Sequence, residues 1–272
     1  GALCSALADS AMNGAKWWVV TDLDGTLMDH RYDWSPAAET LRVLRQREIP
    51  VIPCTSKTAE EVEWFRAEVG LKDPYIVENG GAIHGETPRM GPWQQALGPS
   101  WSELKPQLQR LAADLGEPLR ALDDLSAADG EQLLGLSGEG LLQAQRRRCS
   151  VPFVPPAESI RPRLQQLAAE RQLAIVQGNR MAHLLGAGVS KGRALAALKH
   201  RLGADHVWVL GLGDSPNDLP LLEAADVAVV VPGHDGPHPA LHEGVESGRF
   251  QLAAFPHARG WAEAVQRNVL DA

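Results

Sequence analysis

The chain reads as an α/β protein: a mainly parallel sheet built as a doubly wound core, with an α+β unit inserted into it. Three observations predict this. Short apolar, β-favouring runs alternate with helical periodicities towards both ends of the chain. That rhythm fails between about residues 85 and 188, where Pro, Gly and polar clusters intervene. Two of the apolar runs also end abruptly in acidic loops. At roughly 150 residues per domain, a length of 272 residues accommodates such a core together with an insert.

The elements follow in order. Trp17 to Thr21 is a buried strand that breaks into Asp22-Leu23-Asp24-Gly25-Thr26. Ser35-Pro36 is an N-cap and N1 pair opening a helix over Ala37 to Arg47, with Ala38, Leu41 and Leu44 on one face. The run Ile49 to Cys54 is a second strand, and Thr58 to Val69 a helix that Gly70 stops. Tyr75 to Val77 is a third strand, leading to Glu78-Asn79-Gly80-Gly81. Inside the irregular region, Trp101 to Leu115 has helical spacing and Leu122 to Arg148 is a looser Leu-rich stretch. Two apolar runs around Gln177-Gly178-Asn179-Arg180 predict a hairpin turning at Gly178-Asn179. Ser190 then caps a helix from Lys191 to Leu202, and the strand His206 to Gly213 runs into Asp214. The predicted division is a loose tail at 1–15, a core from 16–84 and 187–272, and an inserted unit at 85–186.

Composition narrows the partners. Hydrophobic residues make 44% and charged residues 22% of the chain, the balance of an ordinary globular protein. A net charge of −8 provides no global positive field to draw in nucleic acid or an anionic membrane, so an anionic ligand must meet a local site. The apolar runs fall far short of the roughly 20 residues that span a bilayer. Cys4, Cys54 and Cys149 are an odd number without zinc spacing, which makes a disulfide framework or structural zinc improbable. The opening residues lack a basic region before an apolar one, so a cytoplasmic location is expected. Oligomeric state leaves no mark on the sequence.

Two residues apart on an extended chain, Asp22 and Asp24 project to the same side. Carboxylates that converge in this way repel unless a cation or a shared proton relieves them. A second acidic group, Gly213-Asp214-Ser215-Pro216-Asn217-Asp218, again follows an apolar strand. Oxygen ligands at two strand ends suit a hard cation such as Mg²⁺. Either loop alone could be a surface turn or a helix cap; both together, each after a strand, favour a shared site. Thr55-Ser56-Lys57, at a strand-to-helix turn, could hold an anion with hydroxyls and backbone N–H groups. Lys191 opens a helix, where a cation is mildly disfavoured and a negative partner would explain it.

In order and spacing, Asp22-Leu23-Asp24-Gly25-Thr26, Thr55, Lys191 and Gly213-Asp214 with Asp218 resemble the four motifs of the haloacid dehalogenase superfamily of phosphatases. The insert, with Glu78-Asn79-Gly80-Gly81 ahead of it, resembles a C2B-type α+β cap. Within that subclass, the stretches 54–58, 148–153, 178–180 and 260–264 are most similar to the mannosyl-3-phosphoglycerate phosphatase family. The chain departs from that pattern at Asn179, where the resemblance implies glycine, and at Val151, where it implies glutamate.

The resemblance implies a Mg²⁺-dependent phosphatase in which Asp22 is the nucleophile and Asp24 the general acid and base. Lys191 screens Asp22, and Asp22, the Asp24 carbonyl, Asp214 and Asp218 hold the metal. It also implies that Thr55, Ser56, Lys57, Asn79, Arg148, Ser150, Gly178, Asn179 and Arg180 bind a phosphorylated sugar, a mannosyl- or glucosyl-3-phosphoglycerate whose product is a compatible solute. Another sugar phosphate, such as sucrose phosphate, and a catalytically idle module of the same fold are the alternatives. His183 is a further residue that could face the sugar. His234, His238 and His242 fall in a Pro/Gly loop and read as surface residues rather than a metal site; Trp17, Trp18 and Trp208 read as core, and Cys54 as a buried small residue.

Overall fold

A computed structural model describes residues 10–272. Eleven strands are formed among them: β1 (Trp17–Thr21), β2 (Val51–Pro53), β3 (Tyr75–Val77), β4 (Ala82–Thr87), β5 (Gly91–Ala96), β6 (Val151–Phe153), β7 (Leu173–Gln177), β8 (Ala182–Gly186), β9 (Trp208–Gly213), β10 (Val227–Val230) and β11 (Gln251–Leu252). The central sheet is wholly parallel, in the order β11-β10-β9-β1-β2. Cys54 bridges Ile76 in parallel, so β3 continues this sheet before pairing antiparallel with β4, which pairs with β5.

Side chains alternate across β1, and the core divides accordingly. Val19 faces a cluster with Leu41 and Leu44 of α1 (Ala38–Gln46), Val62 and Phe65 of α2 (Ala59–Val69), and Trp261 near the C-terminus. Trp18 and Val20 face the other side, against Leu195 and Leu198 of a later helix. This two-sided burial is what an all-parallel sheet requires.

The intervening segment forms α3 (Trp101–Leu115), α4 (Ala127–Leu134), α5 (Gly138–Gln145) and α6 (Arg161–Glu170) around the antiparallel sheet β6-β8-β7. It has its own core, in which Leu104, Leu108 and Leu111 of α3 and Leu164 of α6 cover Phe153 and Leu184. The chain then returns through α7 (Lys191–Arg201), α8 (Leu219–Ala224), α9 (His242–Glu246) and α10 (His257–Val265).

Caps explain several helix ends. The Thr58 hydroxyl accepts from Glu61 N while Glu61 accepts from Thr58 N, a reciprocal box that fixes the start of α2. Ser190 caps α7 by accepting from Arg193 N. Ser35, expected as a cap, instead begins a 3₁₀ turn over Ser35–Ala37 that feeds α1 without a side-chain cap. The expected hairpin joins β7 to β8 through residues 178–181, and Gly178 N donates to Met181 O. Only Trp18 of the three strand tryptophans is core. Trp208 is 53% exposed at the amino end of its strand, and its ring lies tilted 5.8 Å from that of Trp17, which is half-buried against the edge of the first cluster. Of the expected N-terminal tail, residues 1–9 lie outside the described residues; Met12 is buried, and its carbonyl accepts from Trp18 Nε1.

Candidate active site

Register places the chemistry. Thr21 lies opposite Leu212 on one side and Pro53 on the other, so β1, β9 and β2 end together at one edge of the sheet. The loops that leave this edge carry Asp22 and Asp24, Asp214, and Thr55, in the position where open parallel sheets bind ligands. Gly25, at φ +79°, lets the first loop turn back beneath the second; a Cβ there would collide with the Asp214 carboxylate and the Asn179 amide.

Carboxylate oxygens of Asp22, Asp214 and Asp218 lie within 4.8 Å of one another. Lys191, whose side chain is fully buried, donates to Asp22 Oδ1 at 3.1 Å and to Asp218 Oδ1 at 2.7 Å. Asp218 is engaged at both oxygens, since its Oδ2 accepts from Asp214 N at 2.9 Å and Ser215 N at 3.1 Å. It therefore shapes the acidic loop and holds Lys191. Asp214 accepts from Thr26 Oγ1 at 2.7 Å and Ser215 Oγ at 3.0 Å. Such an all-oxygen donor set fits a hard divalent cation, with Asp22 and Asp214 contributing carboxylates and Asp24 its backbone carbonyl.

Burial raises Asp22 well above the ordinary carboxyl range, and the Asp218 charge adds to this against the opposing pull of Lys191. Asp214 is likewise pushed up to about 6, by burial and then by Asp218. A carboxyl held above its unfolded value stabilises the fold while protonated, and that benefit is lost as pH climbs through about 6. With chelator present, the melting temperature should fall by roughly 2–6 °C between pH 5 and 7.5, and Mg²⁺ should raise it more at pH 7.5 than at pH 5. Differential scanning fluorimetry reads both; a Mg²⁺ response independent of pH would count against these carboxylates as its ligands.

Beside this cluster lies a cavity of about 30 Å³ lined by Asp22, Asp24, Tyr32, Lys57, Arg180 and His183, among others. Lys57 Nζ sits 3.2 Å from Asp24 Oδ2, 3.4 Å from Glu61 Oε2 and 4.7 Å from the centre of the Tyr32 ring. Burial opposes its charge, but Asp24 and then Glu61 outweigh this and hold the ammonium above the usual lysine range. Burial, then the Asp24 charge, pushes the Tyr32 phenol up to about 12. His183 is buried and neutral, because burial and the charges of Arg147 and Lys191 hold it well below its ordinary value. A second, open cavity of about 730 Å³ shares Asp24, Asn179 and Arg180 with the first and extends to His30, His234 and His257.

The residues expected to bind substrate divide into two groups. Ser56, Lys57, Asn179 and Arg180 line the small cavity. Thr55 is buried beside it, its hydroxyl accepting from Lys57 N. Asn79 accepts from Asn217 Nδ2 at 2.9 Å, while Asn79 Nδ2 and Asn217 Oδ1 are buried without partners. Gly178 serves the hairpin turn through its backbone. Arg148 and Ser150 stand apart. Arg148 reaches outward to Gln94 at 3.0 Å, and Ser150 donates to Glu78 at 2.7 Å. Buried Glu78 also accepts from the backbone amides of Arg148 and Cys149, so this stretch fastens β3 to β6 rather than facing the cavity.

Sequence reasoning missed Arg147, Glu61, Tyr32 and Asn217. Arg147, not Arg148, turns inward, donating to the carbonyls of Ala144 at 2.7 Å and Ser56 at 2.6 Å and so joining α5 to the Thr55 turn. Glu61 had one available signal, its position four residues after Lys57 on the first turn of a helix.

A parallel sheet whose edge gathers three carboxylates around a buried lysine defines a hydrolase class. The chain belongs to the haloacid dehalogenase-like hydrolases, whose family profile matches residues 19–90 and 154–233. Among characterised relatives, it is 29% identical over 263 residues to a glucosyl-3-phosphoglycerate/mannosyl-3-phosphoglycerate phosphatase of Persephonella marina, covering 92% of this chain and 96% of that one. The sucrose-phosphatase of Synechocystis, solved with sucrose and phosphate, superposes with a TM-score of 0.66 at 18% identity, covering 93% of this chain and 97% of that one. A Thermoplasma acidophilum protein superposes at 0.69 with 16% identity, covering 92% and 96%. No helix among the described residues is long and apolar enough to cross a membrane.

Proposed function

We propose that the chain, a phosphatase of the haloacid dehalogenase type, hydrolyses mannosyl- or glucosyl-3-phosphoglycerate to the glycosylglycerate and inorganic phosphate. The observation that carries the choice of substrate is the pair of cations beside Asp24. Lys57 and Arg180 flank the Tyr32 ring at 4.7 and 4.8 Å from its centre, in the cavity that Asp22 and Asp24 also line. Beyond its phosphate, a sucrose or hexose phosphate offers these cations only hydroxyls; a phosphoglycerate brings a second anion, its carboxylate, able to share Lys57 with Asp24 and Glu61. The Persephonella relative's name supports the same reading.

The reaction follows from the residues. Asp22 attacks phosphorus as the bond to the 3-oxygen of the glycerate breaks, giving an aspartyl phosphate. Asp24 gives its proton to the departing oxygen, then takes one from the water that attacks the phosphoenzyme and frees Asp22. Acid–base assistance of this kind contributes only about 10²–10⁴-fold, so neutralising the phosphoryl charge must supply much of the rest. Lys191 supplies part of it, as do the free Asn79 amide N–H groups and the Thr55 hydroxyl. Mg²⁺ held by Asp22, Asp214 and the Asp24 carbonyl, with Asp218 organising that loop, adds charge neutralisation when bound. The inserted unit around β6-β8-β7, which carries Arg180, acts as the cap that closes over this edge.

Phosphate release from mannosyl- and glucosyl-3-phosphoglycerate, sucrose phosphate and simple hexose phosphates tests the proposal. The two phosphoglycerates should lead by at least about tenfold in kcat/KM, the worth of one charge-assisted pair. Lys57→Met should erase most of that lead while sparing turnover of p-nitrophenyl phosphate. Preference for sucrose phosphate would reject the carboxylate reading.

A further inference from the structure

The Asn179 side chain is exposed on the hairpin between β7 and β8, yet both ends of its amide are anchored to the opposite side of the site. Its Nδ2 donates to the backbone carbonyl of Asp24 at 2.7 Å, and its Oδ1 accepts from Ser215 Oγ at 2.7 Å. These partners lie 155 and 36 residues away in sequence, one in each of the two acidic loops. The carbonyl that receives Nδ2 is the one assigned above to the cation. Both Nδ2 and Asp214 Oδ2 would collide with a Cβ on Gly25, so the amide nitrogen lies among the donors that a cation would use. A carboxamide N–H is a weak electrostatic stand-in for a cation at a carbonyl oxygen, since it offers a partial positive charge where a divalent ion offers two full ones.

A second observation concerns space. Asn179, Arg180 and Asp24 line both the cavity of about 30 Å³ and the neighbouring one of about 730 Å³, making the hairpin their shared wall. The smaller is far below the roughly 300 Å³ at which ligand pockets begin. Asp24 already lines the larger, open cavity, but Asp22 lines the smaller one, so a glycosyl phosphoglycerate can bring its phosphoryl group to Asp22 only if that wall shifts.

We propose that Asn179 is an internal competitor for the cation: its amide latches the hairpin onto the Asp24 carbonyl, and cation binding at that oxygen releases the latch. The cation then precedes the sugar phosphate, because the latch that it displaces also closes the space the sugar phosphate must enter. This rests on the metal assignment above and adds to it a residue that works against metal binding.

Titration of the full chain with Mn²⁺ alone, followed by the electron paramagnetic resonance of free Mn²⁺, tests the proposal without turnover. Asn179→Ala should bind Mn²⁺ about tenfold more tightly than the wild type, the scale of one net hydrogen bond lost from the latched state. In the wild type, Mg²⁺ should speed hydrogen exchange in the peptide spanning residues 178–181. In Asn179→Ala that peptide should exchange fast with or without Mg²⁺. Equal or weaker Mn²⁺ binding by the variant overturns the competition, as does Mg²⁺ slowing exchange in the wild-type hairpin. Absence of Mn²⁺ binding by the wild type would instead overturn the metal assignment, and the competitor with it.

Discussion

Asp22→Asn should abolish phosphate release, by at least about four orders of magnitude, while raising the melting temperature measured with chelator by roughly 2–4 °C. The two effects share a cause. Asp22 is buried between Asp218 and Asp214, and its carboxyl is raised well above the usual range by burial first and by Asp218 next. An ionised oxygen there is costly to hold, and only the lysine opposite offsets it. Asparagine keeps the shape and removes the charge, so the fold gains what the reaction loses. The covalent step can be read separately. Asp24→Asn leaves the nucleophile in place but removes the group that activates water. Incubated with substrate, that variant should accumulate a phosphoryl group on Asp22, detectable by intact mass and peptide mapping. Undiminished turnover in Asp22→Asn, or a phosphoryl group on any other residue, removes the nucleophile assignment.

The acidic loops were legible because both signals are local. An apolar β run that breaks into Asp22-Leu23-Asp24-Gly25 or Gly213-Asp214-Ser215 marks a strand end, and parallel strands place their carboxyl ends on one edge. Helix α3 was legible to the residue, because Ser100 and Gly116 bracket a clean apolar stripe. What failed depended on long-range partners. Arg147 and Arg148 are adjacent in a basic triplet, and nothing in their spacing says which of them turns inward. The choice is made by Glu78, whose carboxylate fixes the backbone amide of Arg148 from 70 residues away. Asn179 reads as a turn residue because turns tolerate asparagine. Its bonds to Asp24 and Ser215 exist only once the hairpin meets the core. Trp208 carries a strand's apolar signature, but it is the first residue of β9, at the edge away from the site, and its side chain is exposed there.

Lys191→Met should cost more stability than any other single change at the site. Its side chain is wholly buried and holds both Asp22 and Asp218. It also opens α7, where the helix dipole disfavours a cation, so the two carboxylates account for its presence. Burial works against the ammonium, yet Asp218 and then Asp22 hold it above the ordinary lysine range. It is therefore charged at every pH from 5 to 8, so any change in its contribution within that window comes from the carboxyls it faces and not from the lysine itself. Methionine fills similar volume and leaves the carboxylates uncompensated, at about 3–5 kcal/mol for breaking a buried pair. For a chain of this size that corresponds to a melting temperature lower by roughly 6–20 °C, with activity reduced at least about 10³-fold. The loss should shrink as pH falls towards 5, because protons taken up by the raised Asp22 and Asp214 carboxyls replace the missing positive charge. Adding Asp218→Asn to Lys191→Met should recover a large part of the stability and none of the activity, since an amide oxygen can still accept from Asp214 N and Ser215 N. Thermal melts of the two variants at pH 5 and 7.5 decide the matter: a pH-independent loss, or a double variant less stable than Lys191→Met, would show that Lys191 acts through packing rather than charge.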